Sequence, residues 1–191
     1  MVYLPDPRQQ IMSYRHLPPK LGLPQIGQLG FLVNDVEHTC LRHGGQLGVS
    51  TWYRASVRRC EQFCQGRLLD QRFKIAIGYS EGVQIEVFQV DGADRSLLAG
   101  LSEEPRLNHV GFFVGDMRAT RTRLVSQGYA TLQCGSFSFV RWSKTKVAYL
   151  DTLASLGVIV ELIENRFRGW RIDMPEWYVR LGVVAGQVTR I

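Results

Sequence analysis

Short apolar stretches interrupted by polar residues run along most of the chain, and the pattern occurs twice in the same order. An apolar strand is expected at residues 25–33 and again at 107–114. Asp35 or Asp116 follows each strand and can cap a helix. Further strands are expected where β-branched and aromatic residues are enriched, at 48–53, 72–79, 83–90, 137–142, 146–151 and 158–163. The pattern predicts two βαβββ units and an α+β fold.

Two pairs of matching segments indicate that these units are an internal repeat. Gln28-Leu-Gly-Phe-Leu-Val-Asn-Asp35 aligns with His109-Val-Gly-Phe-Phe-Val-Gly-Asp116. Gly82-Val-Gln-Ile-Glu-Val87 resembles Gly157-Val-Ile-Val-Glu-Leu162 in the same way. We therefore divide the chain into an N-terminal arm (1–24), a first module (25–90), a linker (91–105), a second module (106–164) and a C-terminal extension (165–191).

The segments outside the repeat have patterns of their own. Several prolines predict an irregular N-terminal arm. A short helical turn is expected at 97–101 in the linker. An amphipathic helix is expected from Met174 to Leu181, with Pro175 in its first turn.

Four polar residues interrupt the apolar strands at matching positions of the repeat, and they are Gln28, Glu86, His109 and Glu161. A carboxylate inside such a strand is costly unless it is exposed or paired. A pseudo-symmetric pairing of the two modules would bring the four side chains together. They offer three oxygen ligands and one nitrogen ligand, which suit zinc, nickel, cobalt, manganese or iron without choosing among them.

Each of these residues also has an ordinary structural explanation. A single strand Gln or His is more often hydrogen-bonded than metal-bound, and both glutamates could face water on an antiparallel sheet. Cys60 and Cys64 are expected in a helix or loop, and the absence of a second cysteine pair argues against a zinc site. The matched positions of the quartet are what favour a metal site over the structural explanation.

The duplicated motifs resemble those of the vicinal oxygen chelate superfamily, which includes glyoxalase I, methylmalonyl-CoA epimerase, extradiol dioxygenases and bleomycin-resistance proteins. The resemblance covers residues 25–164. It implies two tandem βαβββ modules that form a curved, incomplete barrel around a central cavity, with a divalent metal ion held by Gln28, Glu86, His109 and Glu161. This ligand set looks like that of some glyoxalase I enzymes, whereas Gln28 departs from the pattern of extradiol dioxygenases.

The resemblance implies a lyase or isomerase that acts on a proton beside a carbonyl through a metal-stabilised enediolate or enolate. Glu161 is the first candidate for the catalytic base, and Glu86 is the second. An extradiol-type dioxygenase and a non-catalytic small-molecule binding protein of the same fold remain as alternatives.

Composition and charge limit the partners. The 191 residues carry a net charge of +6, which permits an anionic small-molecule substrate. No clustered basic motif indicates nucleic acid, and no apolar run is long enough for a membrane span. No export signal is apparent in the sequence, which suggests a cytoplasmic protein. In that compartment the four cysteines are expected to be free thiols. The sequence leaves a homodimer open.

Overall fold

The computed structural model describes residues 6–55, 57–94, 106–139 and 141–191. Within these ranges the chain forms six helices and twelve strands. The helices are α1 (Pro7–Tyr14), α2 (Leu17–Leu21), α3 (Val36–His43), α4 (Met117–Ser126), α5 (Leu153–Leu156) and α6 (Glu176–Val184). The strands are β1 (Gln28–Leu32), β2 (Tyr53–Ala55), β3 (Arg58–Cys64), β4 (Arg67–Leu68), β5 (Arg72–Ser80), β6 (Val83–Asp91), β7 (Arg106–Phe113), β8 (Thr131–Ser138), β9 (Ser143–Leu150), β10 (Ile159–Phe167), β11 (Trp170–Arg171) and β12 (Val188–Arg190).

The strands form one mixed sheet that curls into an open half-barrel, so the α+β class and the incomplete barrel are confirmed. The strand order is β12-β2-β5-β6-β1-β7-β10-β9-β8-β3-β4, and β11 pairs with β10. The middle four strands carry the pseudo-symmetry, because β1 is parallel to β6 and β7 is parallel to β10. The two repeats meet where β1 and β7 pair antiparallel, and we call this pairing the seam.

The two faces of the sheet bury different sets of side chains, as strand alternation requires. Helices α3 and α4 contact the outer face, where Leu29, Phe31, Val110 and Phe112 belong to one buried cluster. The opposite, inner face carries a second cluster. Helix α6 contributes Tyr178 and Val179 to this second cluster, so the C-terminal extension packs on the inner face.

The helix caps expected after each opening strand are present. Asp35 accepts a hydrogen bond from the His38 backbone N–H at 2.8 Å, and Asp116 accepts one from that of Ala119 at 2.9 Å. These bonds satisfy backbone donors that the first turn of a helix leaves unpaired. Because both caps follow an opening strand, they direct α3 and α4 to the same side of the sheet.

The described part of the N-terminal arm, residues 6–24, is not irregular, contrary to the expectation from its prolines. It contains α1 and α2, and Leu17 and Leu21 are buried in the outer-face cluster. Pro7 and Pro18 lie in the first turns of these helices, where the missing N–H is not needed. Arg123 of α4 fastens the arm by donating to the backbone carbonyls of Leu21 and Gly22, at 2.8 and 3.0 Å.

Several further expectations need correction, and one cannot be compared. The strand expected at 48–53 shares only Tyr53 with β2, and the strand expected at 137–142 shares only residues 137–138 with β8. Cys60 and Cys64 lie in strand β3, which pairs with β8, and not in a helix or loop. Pro175 caps α6 from outside the helix, which begins at Glu176. The helical turn expected at 97–101 lies outside the described residues. All four cysteines are free, as expected. Among the described helices, none combines the length and apolar character that a membrane crossing needs.

Candidate metal centre

Three of the four predicted ligands converge on the inner face of the sheet. Nε2 of His109 lies 3.1 Å from Oε2 of Glu161 and 3.3 Å from Oε2 of Glu86. One potential ligand atom from each residue falls within 4.8 Å of the other two, and all three residues are buried. The structure therefore contains a buried Glu–His–Glu group that could hold a divalent cation.

The register of the central strands explains this convergence. On one side of β1, Gly30 pairs with Glu86 of β6, and on the other side it pairs with His109 of β7. Gly111, the counterpart of Gly30 in the repeat, pairs with Gln28 and with Glu161 of β10. Each half therefore supplies one residue from its opening strand and one carboxylate from its closing strand.

The two glycines leave space for side chains from the opposite half. A Cβ added at Gly30 would lie 2.0 Å from Nε2 of His109, and one added at Gly111 would lie 2.7 Å from Oε1 of Gln28. Real Cβ atoms do not approach other atoms so closely. The His109 ring and the Gln28 amide thus lie over glycines at equivalent positions of the two halves.

Gln28 offers a buried oxygen that has no partner in the described part of the chain. Its Nε2 donates to Oε1 of Gln84 at 2.8 Å, while its own Oε1 makes no hydrogen bond there. Nε2 of His109 and Oε2 of Glu161 likewise have no partner with hydrogen-bond geometry among the described residues. Unpaired polar atoms at such burial are costly, and a cation held between His109 and Glu161 would satisfy those of both residues.

His109 is oriented through its other ring nitrogen. Nδ1 lies 3.2 Å from Oδ1 of Asn108, which is a hydrogen-bond acceptor. With the Nδ1 proton directed to Asn108, the lone pair of Nε2 can face the two carboxylates. Metal-binding histidines commonly use the second nitrogen in this way.

The charges of the group favour bound protons when no cation is present. Burial alone would lower the pKa of His109, but the carboxylates of Glu161 and Glu86 outweigh it and raise that pKa to about 10. Burial also raises the pKa of Glu86, against the opposing effect of His109. A divalent cation would therefore have to displace protons from this site.

Aromatic side chains that the sequence did not identify surround His109. The rings of Phe88 and Tyr149 have their centroids 5.4 and 5.6 Å from that of His109. Tyr149 is also paired in register with Glu161, and burial, together with the charges of Glu161 and Glu86, raises its pKa well above the ordinary value. In the sequence, aromatic residues in a strand look like ordinary residues of the hydrophobic core. Only the strand register shows that these two line the site.

Comparison with known proteins identifies a family. The profile of the glyoxalase/bleomycin resistance protein/dioxygenase superfamily matches residues 27–149. No curated protein matches the chain.

The chain also aligns with solved structures at low sequence identity. A hypothetical protein of Bacillus halodurans C-125 aligns with a TM-score of 0.50 and 15% identity, over 74% of this chain and 94% of its own. A mutant 4-hydroxymandelate synthase of Streptomyces coelicolor aligns with a TM-score of 0.49 and 13% identity, over 78% and 51%. The methylmalonyl-CoA epimerase of Mycobacterium tuberculosis aligns with a TM-score of 0.45 and 15% identity, over 72% and 85%.

Proposed function

Because the chain belongs to the glyoxalase/bleomycin resistance protein/dioxygenase superfamily, we propose that it is a metal-dependent lyase or isomerase of the glyoxalase type. The reaction would move a proton on the carbon beside a carbonyl group of a small organic substrate. The observation that carries this proposal is the buried Glu86–His109–Glu161 group, whose two carboxylates face an unshared imidazole nitrogen. The net charge of +6 suits an anionic substrate.

Gln28, Glu86, His109 and Glu161 are the residues that would hold the cation, which could be zinc, nickel, cobalt, manganese or iron. The chemistry that a bound cation supplies is that of a Lewis acid, which polarises a carbonyl and stabilises negative charge on its oxygen. His109 contributes a neutral nitrogen, and Asn108 keeps its ring in place. Gln28 contributes an oxygen without adding negative charge.

Glu161 is the residue that we assign as the catalytic base, with Glu86 as the second candidate. Glu161 is buried at the centre of the group, and its carboxylate is the side chain that we expect to accept a proton from the substrate carbon. Its burial excludes water that would otherwise compete for that proton. The buried rings of Phe88 and Tyr149 provide the apolar wall beside it.

A test of this function begins with the metal content of the purified protein. Proton abstraction is then measured by NMR, as deuterium incorporation from D₂O beside the carbonyl of α-hydroxy ketones, thiol adducts of 2-oxoaldehydes and acyl thioesters. We expect Glu161→Gln to lower this exchange by about 10²-fold to 10⁴-fold while the cation stays bound.

Glu61→Gln, a change at an exposed strand carboxylate, is the matched control and should leave the exchange unchanged. Full exchange activity in Glu161→Gln would disprove the assignment of the base. Oxygen consumption with catechols would instead show a dioxygenase, and a metal-free protein that binds ligands without exchange would show a binding function.

We include a cytoplasmic location and a homodimer in the proposal. Four free thiols suit a reducing compartment. The dimer is supported by large apolar side chains that are exposed on and near α6, where contact with a second copy would cover them. They are Trp142, Trp177, Leu181 and Val184. Light scattering of the purified protein measures its molar mass and so distinguishes a dimer from a monomer.

A further inference from the structure

A chain of three hydrogen bonds connects the side-chain amide of Gln28, whose nitrogen is bonded and whose oxygen is not, to the C-terminal extension. Nε2 of Gln28 donates to Oε1 of Gln84 at 2.8 Å, and Nε2 of Gln84 donates to the hydroxyl oxygen of Tyr79 at 3.1 Å. The Tyr79 hydroxyl then donates to the backbone carbonyl of Met174 at 2.7 Å. We call these three bonds the relay.

The last member of the relay determines the direction of every bond in it. A backbone carbonyl can only accept, so the single proton of the Tyr79 hydroxyl must go to Met174. The oxygen of Tyr79 is then an acceptor, and Gln84 must present its NH₂ group to it. The side-chain oxygen of Gln84 consequently faces Gln28, and Gln28 must donate a hydrogen bond to it from its own NH₂ group.

The consequence for Gln28 is that its oxygen, and not its nitrogen, is left free in the site. Side-chain amides can rotate by half a turn with little change in shape, so their orientation follows from their hydrogen bonds. An amide oxygen can bind a cation, whereas the NH₂ group cannot. The buried Oε1 of Gln28 without a partner in the described chain is what this orientation leaves.

From this geometry, and resting on the proposed metal function, we propose that Gln84 and Tyr79 are positioning residues that make Gln28 a metal ligand. The backbone carbonyl of Met174 sets their polarity, which gives the C-terminal extension a part in forming the site. None of the three touches the substrate or the reacting atoms in this proposal.

The repeat supports a specific purpose for Gln84. Its counterpart in the second half is Ile159. Both residues are buried on the inner face, and each lies two positions before the candidate ligand carboxylate of its own strand. A buried glutamine is costly unless both ends of its amide are bonded, as they are here. The second half needs no such residue, because its ligand is His109, which Asn108 orients.

Met174 occupies an unusual conformation at the end of the relay. Its φ angle is +48°, in the left-handed region that non-glycine residues seldom adopt. The side chain of Met174 is buried in the inner-face cluster, and the helix α6 begins two residues later. The relay is thus anchored on a well-packed segment, which is what a fixed acceptor requires.

Titration of the metal-free full-length protein with Co²⁺ tests the relay, because calorimetry gives the affinity and the visible spectrum reports the ligands. We expect Tyr79→Phe to weaken Co²⁺ binding by about 10-fold to 100-fold. In a Gln28→Glu background the same change should alter the affinity by less than about twofold, because both oxygens of a carboxylate can bind and orientation no longer matters.

Tyr53→Phe is the matched control. Tyr53 is also a tyrosine that bonds the C-terminal extension, through Glu176 at 2.9 Å, but it lies outside the relay. This variant should leave Co²⁺ affinity within about twofold in both backgrounds. Equal weakening by Tyr79→Phe in both backgrounds would show a merely structural role, and no weakening in either would also overturn the proposal.

A measurement without metal separates failure of the relay from failure of the proposed function. Wild-type protein that binds no divalent cation would overturn the function. The relay itself is then judged by the side-chain NH₂ signals of Gln28 and Gln84 in NMR spectra of the metal-free protein. We expect Tyr79→Phe, but not Tyr53→Phe, to shift the Gln28 signals, and an unchanged Gln28 would refute the relay.

Discussion

At the scale of single residues, the site depends on two positions where the side chain is absent. Gly30 and Gly111 lie beneath the His109 ring and the Gln28 amide. Their φ angles are not left-handed, so the reason for glycine here is the space above the backbone. A site residue of each half occupies the space above the glycine of the other half.

We therefore expect Gly30→Ala to displace the His109 ring and to abolish cation binding. The added Cβ would lie 2.0 Å from Nε2, and overpacking of this kind costs about 1–3 kcal/mol of stability. Calorimetric cation titration and urea denaturation measure the two effects. Gly45→Ala is the control, because a Cβ there meets no atom within 4 Å. Normal cation binding by Gly30→Ala would show that the His109 ring does not need this space.

The sequence revealed some site residues and concealed others for a definable reason. Glu86, His109 and Glu161 were predicted because the repeat places polar residues at equivalent strand positions, and the structure brings them together. Gln84 was not predicted, because its counterpart Ile159 is apolar and the comparison of the two halves passes over it. A search for matched residues finds symmetric features and misses those that serve only one half.

At the scale of secondary-structure elements, Glu164 joins a strand of the second half to the helix above it. Its carboxylate accepts three hydrogen bonds, from the backbone N–H of Met117 at 2.7 Å, from Lys146 at 3.2 Å and from Arg166 at 2.8 Å. The side chain is 3% exposed. The contact with Met117 lies at the positive end of α4, where a carboxylate is favoured.

Acid should therefore weaken this connection. Burial alone would raise the pKa of Glu164, but Arg166, the Met117 N–H and Lys146 together lower it to about 2. Because the folded-state pKa lies below the unfolded value of 4.5, the stabilisation is complete above pH 4.5 and is lost as the pH falls toward 2. Both cations are nearly half exposed, so we expect a contribution of about 1–3 kcal/mol.

Urea denaturation between about pH 6 and pH 2 measures this contribution. The free energy of unfolding of the wild-type protein should fall more steeply below pH 4.5 than that of Glu164→Gln. Asp173→Asn, which breaks an exposed ion pair with Arg171, should follow the wild-type curve. Parallel curves for the wild-type protein and Glu164→Gln would contradict the role of Glu164.

Most of the central elements and the C-terminal helix α6 could be predicted from the sequence, whereas most of the other peripheral elements could not. The opening strands and the helices after Asp35 and Asp116 carry local signals, namely apolar alternation and a capping residue. Strand β3 was missed because its pairing with β8 comes from the other half of the chain. Likewise, the pairing of β12 with β2 joins the C-terminus to the first module. Such long-range partners leave no local pattern.

At the scale of the whole molecule, the candidate ligands connect the four central strands of both halves. A cation that binds only the folded protein should stabilise all of it. At a concentration of about 100 times its Kd, the gain is about 2.7 kcal/mol. For a chain of this length such a gain corresponds to a rise in Tm of roughly 5–10 °C.

The stabilisation should grow with pH, because a cation must displace the proton that His109 holds with a pKa of about 10. Scanning calorimetry with and without Mn²⁺, and with EDTA added afterwards, measures the shift in Tm at pH 6 and pH 8. His109→Ala is the variant that should lose the shift. A shift that persists in this variant would place the cation elsewhere.

The seam also makes the donor set depend on which halves are combined. In its antiparallel register Gln28 lies over Gly111 and His109 lies over Gly30. An approximate twofold axis relates these two pairs of residues. A chimaera of two second halves would offer two imidazoles and two carboxylates at the same positions, and one of two first halves would offer two amides and no imidazole. Preference among soft and hard cations could thus be changed by exchanging modules, without designing a new pocket.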